Sequence, residues 1–422
     1  MSDVATKIQV PSAATGAEVI IASPETISHL AGVPALVKAV LRIALRLNSG
    51  EITLILPDGR ALLFKGPEAG KSGVLIIKDY EFAKRLLTAG GTGMGEAYMD
   101  GMWDSPDLAT FLEVVAVNSE YMRQYFHGKG WARVLGRLMH FLNRNSKSGS
   151  KKNIEYHYDL GNAFYRQWLD STMTYSSARF ADPNQPLPEA QKNKYLSLIN
   201  EAEIRPEHSV LEIGCGWGGF AEFAAKEVGC KITGITISKE QLEFAQKRMF
   251  ENGLNDKVDI QYIDYRDVEG QYDRVASIEM FEAVGEEYWP SFFGKVRDVL
   301  KTGGQAGLQI ITIADELFDD YRQSADFIQR YIFPGGMLPS PTVLADQVRN
   351  VGLEWKHNIT FGRDYARTLH IWRDRFTEAW PTIQPLGFDE RFRRMWNLYL
   401  GYCEAGFNAG TIDVTQVALR RP

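Results

Sequence analysis

Short apolar runs alternate with stretches of helical spacing through the middle of this 422-residue chain. Runs at 210–213, 231–235, 258–262, 274–278 and 305–313 read as strands, and 220–227, 239–252 and 288–300 carry apolar residues at the 3.6-residue period of helices. Alternation of this kind predicts an α/β fold, with a parallel sheet covered on both faces. Ligands then sit beyond the carboxyl ends of the strands. Those ends fall at 214–218, 236–238, 264–266 and 279–282, so four separate segments are expected to line one cleft.

The first 120 residues have a different rhythm. Residues up to about 25 are small and polar without a period, and are expected to be flexible. Positions 34–47 form an amphipathic helix with Lys38, Arg42 and Arg46 on one stripe, read chiefly as a core-packing helix. Positions 51–56 and 61–65 suit a hairpin around Pro57-Asp58-Gly59, 74–77 a further strand and 80–89 a helix. Gly90-Gly91-Thr92-Gly93 reads as a turn. This predicts a small N-terminal α+β domain over 26–144, a polar linker at 145–152 and a second domain over 153–422.

Composition changes this picture in two places. The net charge of −6 conceals a segment, 121–152, with eight Lys/Arg and no Asp/Glu. Aromatic and aliphatic residues including Tyr125, Phe126, Trp131 and Leu135 are interleaved with the charges. Two readings stand: an anionic membrane surface as partner, or a solvated basic helix followed by a linker. The acidic balance of the whole argues against nucleic acid. Cys215, Cys230 and Cys403 have no metal-ligand spacing, and with no signal peptide visible they suit reduced thiols in the cytoplasm. No apolar run approaches the ~18 residues that span a bilayer.

The most specific chemistry lies in Glu212-Ile213-Gly214-Cys215-Gly216-Trp217-Gly218-Gly219. Glycines at alternate positions between a strand and a helix make a tight turn that a ligand can approach closely. The third glycine comes one residue too early for the dinucleotide fingerprint. Glu212 just before the turn would repel a pyrophosphate but suits a cationic amino-acid end. S-adenosylmethionine carries an ammonium and a sulfonium, and is the expected co-substrate. On the second strand end, Thr236-Ile237-Ser238-Lys239-Glu240-Gln241 stands in place of a ribose-binding acid, with Thr236 and Gln241 as polar contacts. Ser238 equally suits a helix N-cap. Asp264, followed by Tyr265 and Arg266, is placed to accept from an adenine amino group, or simply to cap a turn.

Glu279 and Glu282 lie three apart after the fourth strand. In a helical turn their carboxylates share a face, and their repulsion raises one pKa, which invites proton chemistry. Segments 156–162, 173–177 and 331–340 are rich in aromatics and read as walls of an acceptor site for an apolar chain. Tyr158, Tyr175 and Ser176 of these count with the donor-binding residues. Aromatic faces also stabilise a developing cation.

These segments together resemble the cyclopropane fatty acid synthase family, which includes the mycolic acid methyltransferases. The resemblance runs from Gly93-Met94-Gly95-Glu96-Ala97-Tyr98-Met99-Asp100-Gly101 almost to the C-terminus. It takes in His157-Tyr158-Asp159-Leu160-Gly161-Asn162, the glycine motif, Thr236-Ile237-Ser238, Asp264-Tyr265-Arg266-Asp267, Met280-Phe281-Glu282 and Tyr331-Ile332-Phe333-Pro334. It implies a Rossmann-like class I S-adenosylmethionine methyltransferase domain behind a lipid-engaging N-terminal domain. It further implies a dimer, peripheral at the inner membrane surface, that methylates cis double bonds of phospholipid acyl chains through a carbocation. The family's synthases hold a bicarbonate as base on a cysteine, a glutamate, a histidine and a tyrosine. Matching positions here hold Ser177, Glu282, Gln309 and Tyr365, so the anion site is altered and bicarbonate binding is left open. Glu279 replaces a glycine of the ring-forming enzymes and resembles the hydroxymycolate branch. Glu279 is therefore expected to act as a base or to hold water, giving a methyl-branched, methylene-bearing or hydroxylated chain instead of a cyclopropane. A methyltransferase for another small lipophilic substrate is the alternative reading.

Overall fold

The structure, a computed structural model, describes residues 19–121, 160–323 and 325–422. They fall into two units, one within residues 1–129 and the other within 130–422. The segments 121–152 and 156–159 singled out above, with Tyr158, lie outside the described residues except for Tyr121.

In the first unit, β1 (Val19–Ile21), β2 (Ser49–Ile55), β3 (Ala61–Lys65), β4 (Glu68–Ile77) and β5 (Trp103–Asp104) form one sheet in the order β1-β3-β2-β4-β5. The expected flexible terminus is corrected from residue 19 onward. Val19–Ile21 pairs in parallel with β3, and Ser23 and Thr26 close a capping box on α1 (Pro24–Ser28). Helix α2 (Ala35–Ala44) buries Val37, Val40, Leu41 and Ile43 and leaves Arg42 exposed, as core packing requires. The expected turn at 90–93 is instead a kink inside α3 (Glu81–Met99), where Gly90 alone leaves helical backbone at φ +58°. Helix α4 (Leu108–Val117) ends on buried Asn118, whose side chain accepts from Asn48 N (2.7 Å) and Ser49 N (2.9 Å) and donates to Ser49 O and Val114 O (both 2.8 Å).

The second unit begins with α5 (Gly161–Trp168) and α6 (Leu187–Glu201). The alternating elements follow: β6 (Ser209–Ile213), α7 (Gly219–Glu227), β7 (Lys231–Thr236), α8 (Lys239–Glu251), β8 (Val258–Tyr262), β9 (Tyr272–Ile278), α9 (Trp289–Val299) and β10 (Leu300–Ile313). Each expected strand and helix is present within a few residues of its expected bounds. After short helices α10 (Asp315–Tyr321), α11 (Phe327–Tyr331) and α12 (Pro341–Asn350) come β11 (Glu354–Thr360), the long helices α13 (Gly362–Ile383) and α14 (Glu390–Ala409), and β12 (Ile412–Arg420).

The seven strands lie in the order β11-β12-β10-β9-β6-β7-β8. The five strands from β10 to β8 run parallel, but β12 is antiparallel to both β10 and β11. The expected parallel sheet therefore holds for all five expected strands, and β12 and β11 extend it beyond β10 through antiparallel pairings. One face packs Phe281, Trp289, Phe292, Phe293 and Val296 against the sheet, and the other packs Leu198, Phe220, Ala224, Ala245 and Met249. Strand order reverses between β6 and β9, and the crevice outside their carboxyl ends is the ligand position of such a sheet.

Candidate active site

Gly214, Gly216 and Gly218 all have positive φ, at +80°, +53° and +79°. Their duties differ. A Cβ on Gly214 would come 2.6 Å from Met280 Cγ, and one on Gly218 would come 2.9 Å from Met249 Cε, so these two serve close packing. Among the described residues, a Cβ on Gly216 meets nothing within 4 Å. Of these three glycines, Gly216 presents bare backbone that no described residue covers, where a ligand can press against it.

Glu212, on β6, is buried and its Oε2 has no hydrogen-bond partner among the described residues. Burial pushes its pKa up to about 8, with Lys194 and Arg248 opposing. A buried carboxyl with one oxygen unpartnered among the described residues, beside an open glycine turn, fits the cationic amino-acid end of S-adenosylmethionine. Thr236 and Gln241 are already joined to each other, Oγ1 to Oε1 at 2.9 Å, so their role is to shape the second strand end. Ser238 accepts from Gln241 N (3.3 Å) and caps α8. Ile237 lies between them. Asp264 is clamped by Arg266, through Nε (2.8 Å) and Nη2 (2.6 Å), and caps a 3-10 turn at Tyr265–Asp267. The turn-cap reading of Asp264 thus holds, and its carboxylate is shared with Arg266 before any adenine arrives. Tyr265 packs edge-on against Phe292 with its hydroxyl buried. Tyr175 donates to or accepts from Tyr399 (2.7 Å) and packs against Tyr165, Trp168 and Trp372.

The expected helical turn carrying Glu279 and Glu282 is corrected. Glu279 has φ +49°, a left-handed backbone that glycine adopts freely and glutamate does not. Its N–H still donates to Gln309 O (2.9 Å), and the 3-10 turn Phe281–Ala283 follows. The left-handed step aims the Glu279 carboxylate back toward β10. There Oε1 accepts from Ser177 N (2.8 Å) and Gln309 Nε2 (2.7 Å), and Oε2 accepts from the Tyr365 hydroxyl (2.5 Å). Glu282 Oε1 accepts from Ile311 N (2.6 Å), two residues further along the same strand, while its Oε2 is buried without a partner among the described residues. Burial, and then the charge of Glu279, push the Glu282 pKa up to about 8. The two carboxyls differ in their surroundings: Glu279 accepts three hydrogen bonds and Glu282 one, and the charge of the first disfavours ionisation of the second. Burial raises the Glu279 pKa too, and Lys194 and the three hydrogen bonds oppose that rise in part.

Of the four residues matched to the family's bicarbonate holders, Ser177, Gln309 and Tyr365 spend their facing donors on Glu279. The Ser177 hydroxyl turns away to Ala178 O (2.9 Å). These residues do not fit a second anion in the same place.

Sequence reasoning missed Lys194, Gln416 and Asp170. Lys194 is fully buried on α6, donates to Ser176 Oγ (2.6 Å) and lies 4.6 Å from the centre of the Tyr195 ring. Glu279, then Asp170 and Glu212, are the carboxylates acting on it, and burial lowers its pKa to about 8. A signal existed: Leu187, Ala190, Gln191, Lys194 and Leu198 share the buried stripe of α6, so its helical phase lands on a lysine. Gln416 faces Gln309 directly across the β10–β12 ladder and donates to its Oε1 (3.0 Å).

A crevice at the strand-order reversal, an open glycine turn and a buried acid to meet a cation are the parts of a methyl-donor site. Residues 145–417 match the family model for mycolic acid cyclopropane synthetase. The chain belongs to that family. Tuberculostearic acid methyltransferase UfaA1 of Mycobacterium tuberculosis is 38% identical over 88% of this chain and 88% of its own length. The cyclopropane-fatty-acyl-phospholipid synthase of Escherichia coli K12 is 37% identical over 82% of this chain and 87% of its own. The cyclopropane synthase MmaA2 of M. tuberculosis and mycolic acid cyclopropane synthase CmaA1, complexed with S-adenosylhomocysteine and CTAB, each superpose with a TM-score of 0.60. Each is 28% identical and covers 64% of this chain and 97% of its own. As a member of the mycolic acid cyclopropane synthetase family the chain is an S-adenosylmethionine-dependent methyltransferase of class I fold.

Proposed function

We propose that this methyltransferase acts on the cis double bond of unsaturated acyl chains in membrane phospholipid, and that its product is an acyl chain methylated without ring closure. The observation that carries the second half is the Glu279 carboxylate, buried and fixed by three donors beside the aromatic ring of Tyr365, which stacks on Phe407 at 4.5 Å. The names of the relatives, a tuberculostearic acid methyltransferase and a cyclopropane-fatty-acyl-phospholipid synthase, support a fatty-acyl substrate and leave the product divided.

The donor supplies an electrophilic methyl group. The alkene π pair forms the new C–C bond, the C–S bond breaks with its pair going to sulfur, and the neighbouring chain carbon is left cationic. Residues of this chain then decide its fate. Aromatic faces of Tyr365 and Tyr175 stabilise the cation. Glu279 takes a proton from a chain carbon next to the cation, and the C–H pair closes a double bond. Alternatively Glu279 holds a water that adds its oxygen to the cation and releases its proton to the carboxylate. Glu282, neutral at pH 7 with its pKa at about 8, braces Ile311 without competing for that proton.

The test is incubation with monounsaturated phospholipid vesicles and a trideuteromethyl donor, followed by mass and NMR analysis of the fatty acids. Retention of all three deuterons is expected. Two deuterons with upfield ring protons would establish a cyclopropane and remove the role given to Glu279. The Glu279→Gln variant is expected to lose about 10²–10⁴ in rate, the usual worth of a positioned base. An unchanged product at full rate from that variant would also defeat the role.

A further inference from the structure

We infer that the Glu279 side chain is itself the resident anion of this active site, so that the enzyme turns over without a diffusible bicarbonate. This rests on the methyltransferase reading above and concerns only the identity of its base.

Three observations meet here. First, Ser177 N–H, Gln309 Nε2–H and Tyr365 O–H converge on the two oxygens of one carboxylate, and this carboxylate belongs to the chain. Residues matched to the holders of an external anion have become the holders of an internal one.

Second, the donors are locked in the sense that only an acceptor satisfies. Arg179 Nη1 donates to Ser197 Oγ (2.5 Å) and Ser197 Oγ to Gln416 Oε1 (2.6 Å). Gln416 Nε2 donates to Gln309 Oε1 (3.0 Å) and to Lys194 O (3.1 Å). With its oxygen taken, the Gln309 amide must present N–H to the site, so the cradle offers donors alone. A histidine at position 309 would titrate; a glutamine pinned by Gln416 does not.

Third, the charge has a built-in complement. The buried Lys194 ammonium has Glu279 as its foremost counter-charge, ahead of Asp170 and Glu212. A fully buried cation demands such compensation in every state of the enzyme, and a carboxylate tethered to the backbone is always present to give it.

The backbone makes the inference testable. Position 279 has the left-handed φ of +49°, so Glu279→Gly removes the anion while keeping a residue that suits the turn. Glu279→Gln instead fills the cradle with a neutral side chain. Methyl transfer to vesicle lipid is measured in carbon-dioxide-depleted buffer, then with bicarbonate or formate added. Wild-type activity is expected to stay within about twofold throughout. Glu279→Gly is expected to fall by about 10²–10⁴-fold and to recover saturably with either small anion, whereas Glu279→Gln falls equally and does not recover. Wild-type activity that collapses on depletion and returns with bicarbonate overturns the inference. So does a Glu279→Gly variant that binds donor yet ignores both anions, or a Glu279→Gln variant rescued as well as the glycine. In the first of these cases methylated lipid is still formed, and the proposed function survives. Wild-type enzyme that methylates no unsaturated lipid under any condition defeats that function instead.

Discussion

Glu212 shows how one buried carboxyl reports on ligand. With a pKa of about 8 in the free protein it is mostly protonated at pH 7. A cationic donor favours the ionised form and lowers that pKa, so binding expels a proton. Calorimetry at pH 7 in buffers of different ionisation enthalpy is expected to show a net release, abolished in Glu212→Gln. Equal heats after buffer correction would mean that Glu212 stays neutral and does not meet the cation. The same shift bears on stability. A carboxyl with a raised native pKa favours folding below the unfolded value of ~4.3 and loses that contribution as pH rises through the native one. Glu212 and Glu282, both near 8, therefore predict a free-protein Tm that falls between pH 5 and 8, and a donor-bound Tm that falls less.

Elements, more than single side chains, explain what the sequence disclosed. Strands β6 and β9 were legible because apolar runs ended sharply in glycine or polar residues, and a central parallel strand needs both faces apolar, whereas the edge strand β8 shows the alternation of a half-covered strand. The left-handed turn at Glu279 was not legible, since nothing local marks a glutamate for positive φ; tertiary contacts from β10, α13 and the 173–177 loop hold it there. Helices α13 and α14 and the antiparallel β12 also escaped, because their apolar positions are dense aromatics spread among arginines, as in Trp372-Arg373 and Arg393-Arg394-Met395-Trp396. Lys194 and the Gln309–Gln416 pair were invisible for a related reason: a buried polar residue is recognised by its partner, and Gln416 lies 107 residues from Gln309, while Ser176 meets the Lys194 ammonium from outside its helix. The β6–α7 turn gives a prediction at this scale. Gly216→Ala, in open space, adds only left-handed strain of about 1–2 kcal/mol and should weaken donor binding. Gly214→Ala adds a collision with Met280, worth a further ~1–3 kcal/mol of overpacking. Thermal melts and donor titration of both variants separate the packing glycine from the ligand-facing one; equal effects on Tm would refute the division.

At the scale of the molecule, the substrate proposed above lies in a bilayer, yet no helix among the described residues is long and apolar enough to cross a membrane. We propose peripheral attachment, with the basic segment 121–152 supplying attraction to anionic headgroups. Each Lys or Arg near such a surface is worth about 1 kcal/mol, so replacing Arg133 and Arg137 together with alanine should weaken vesicle binding roughly 30-fold at physiological salt. Sedimentation with anionic vesicles checks this, and unaltered binding would assign attachment elsewhere. Stability of the first unit is a separate matter. Asn118→Ala leaves the Asn48 and Ser49 amides without their acceptor and should cost about 1–3 kcal/mol in that unit, without altering donor affinity in the second.

The left-handed residue at 279 also bears on ancestry. A glycine codon and a glutamate codon differ by a single base, and the backbone at this position already has the shape that glycine prefers. With Glu279 in the role proposed above, borrowing a base from solution and carrying one are neighbouring states in sequence space, joined by one step that leaves the scaffold standing. On that proposal a lineage passes between ring closure and chain methylation without crossing a misfolded ancestor.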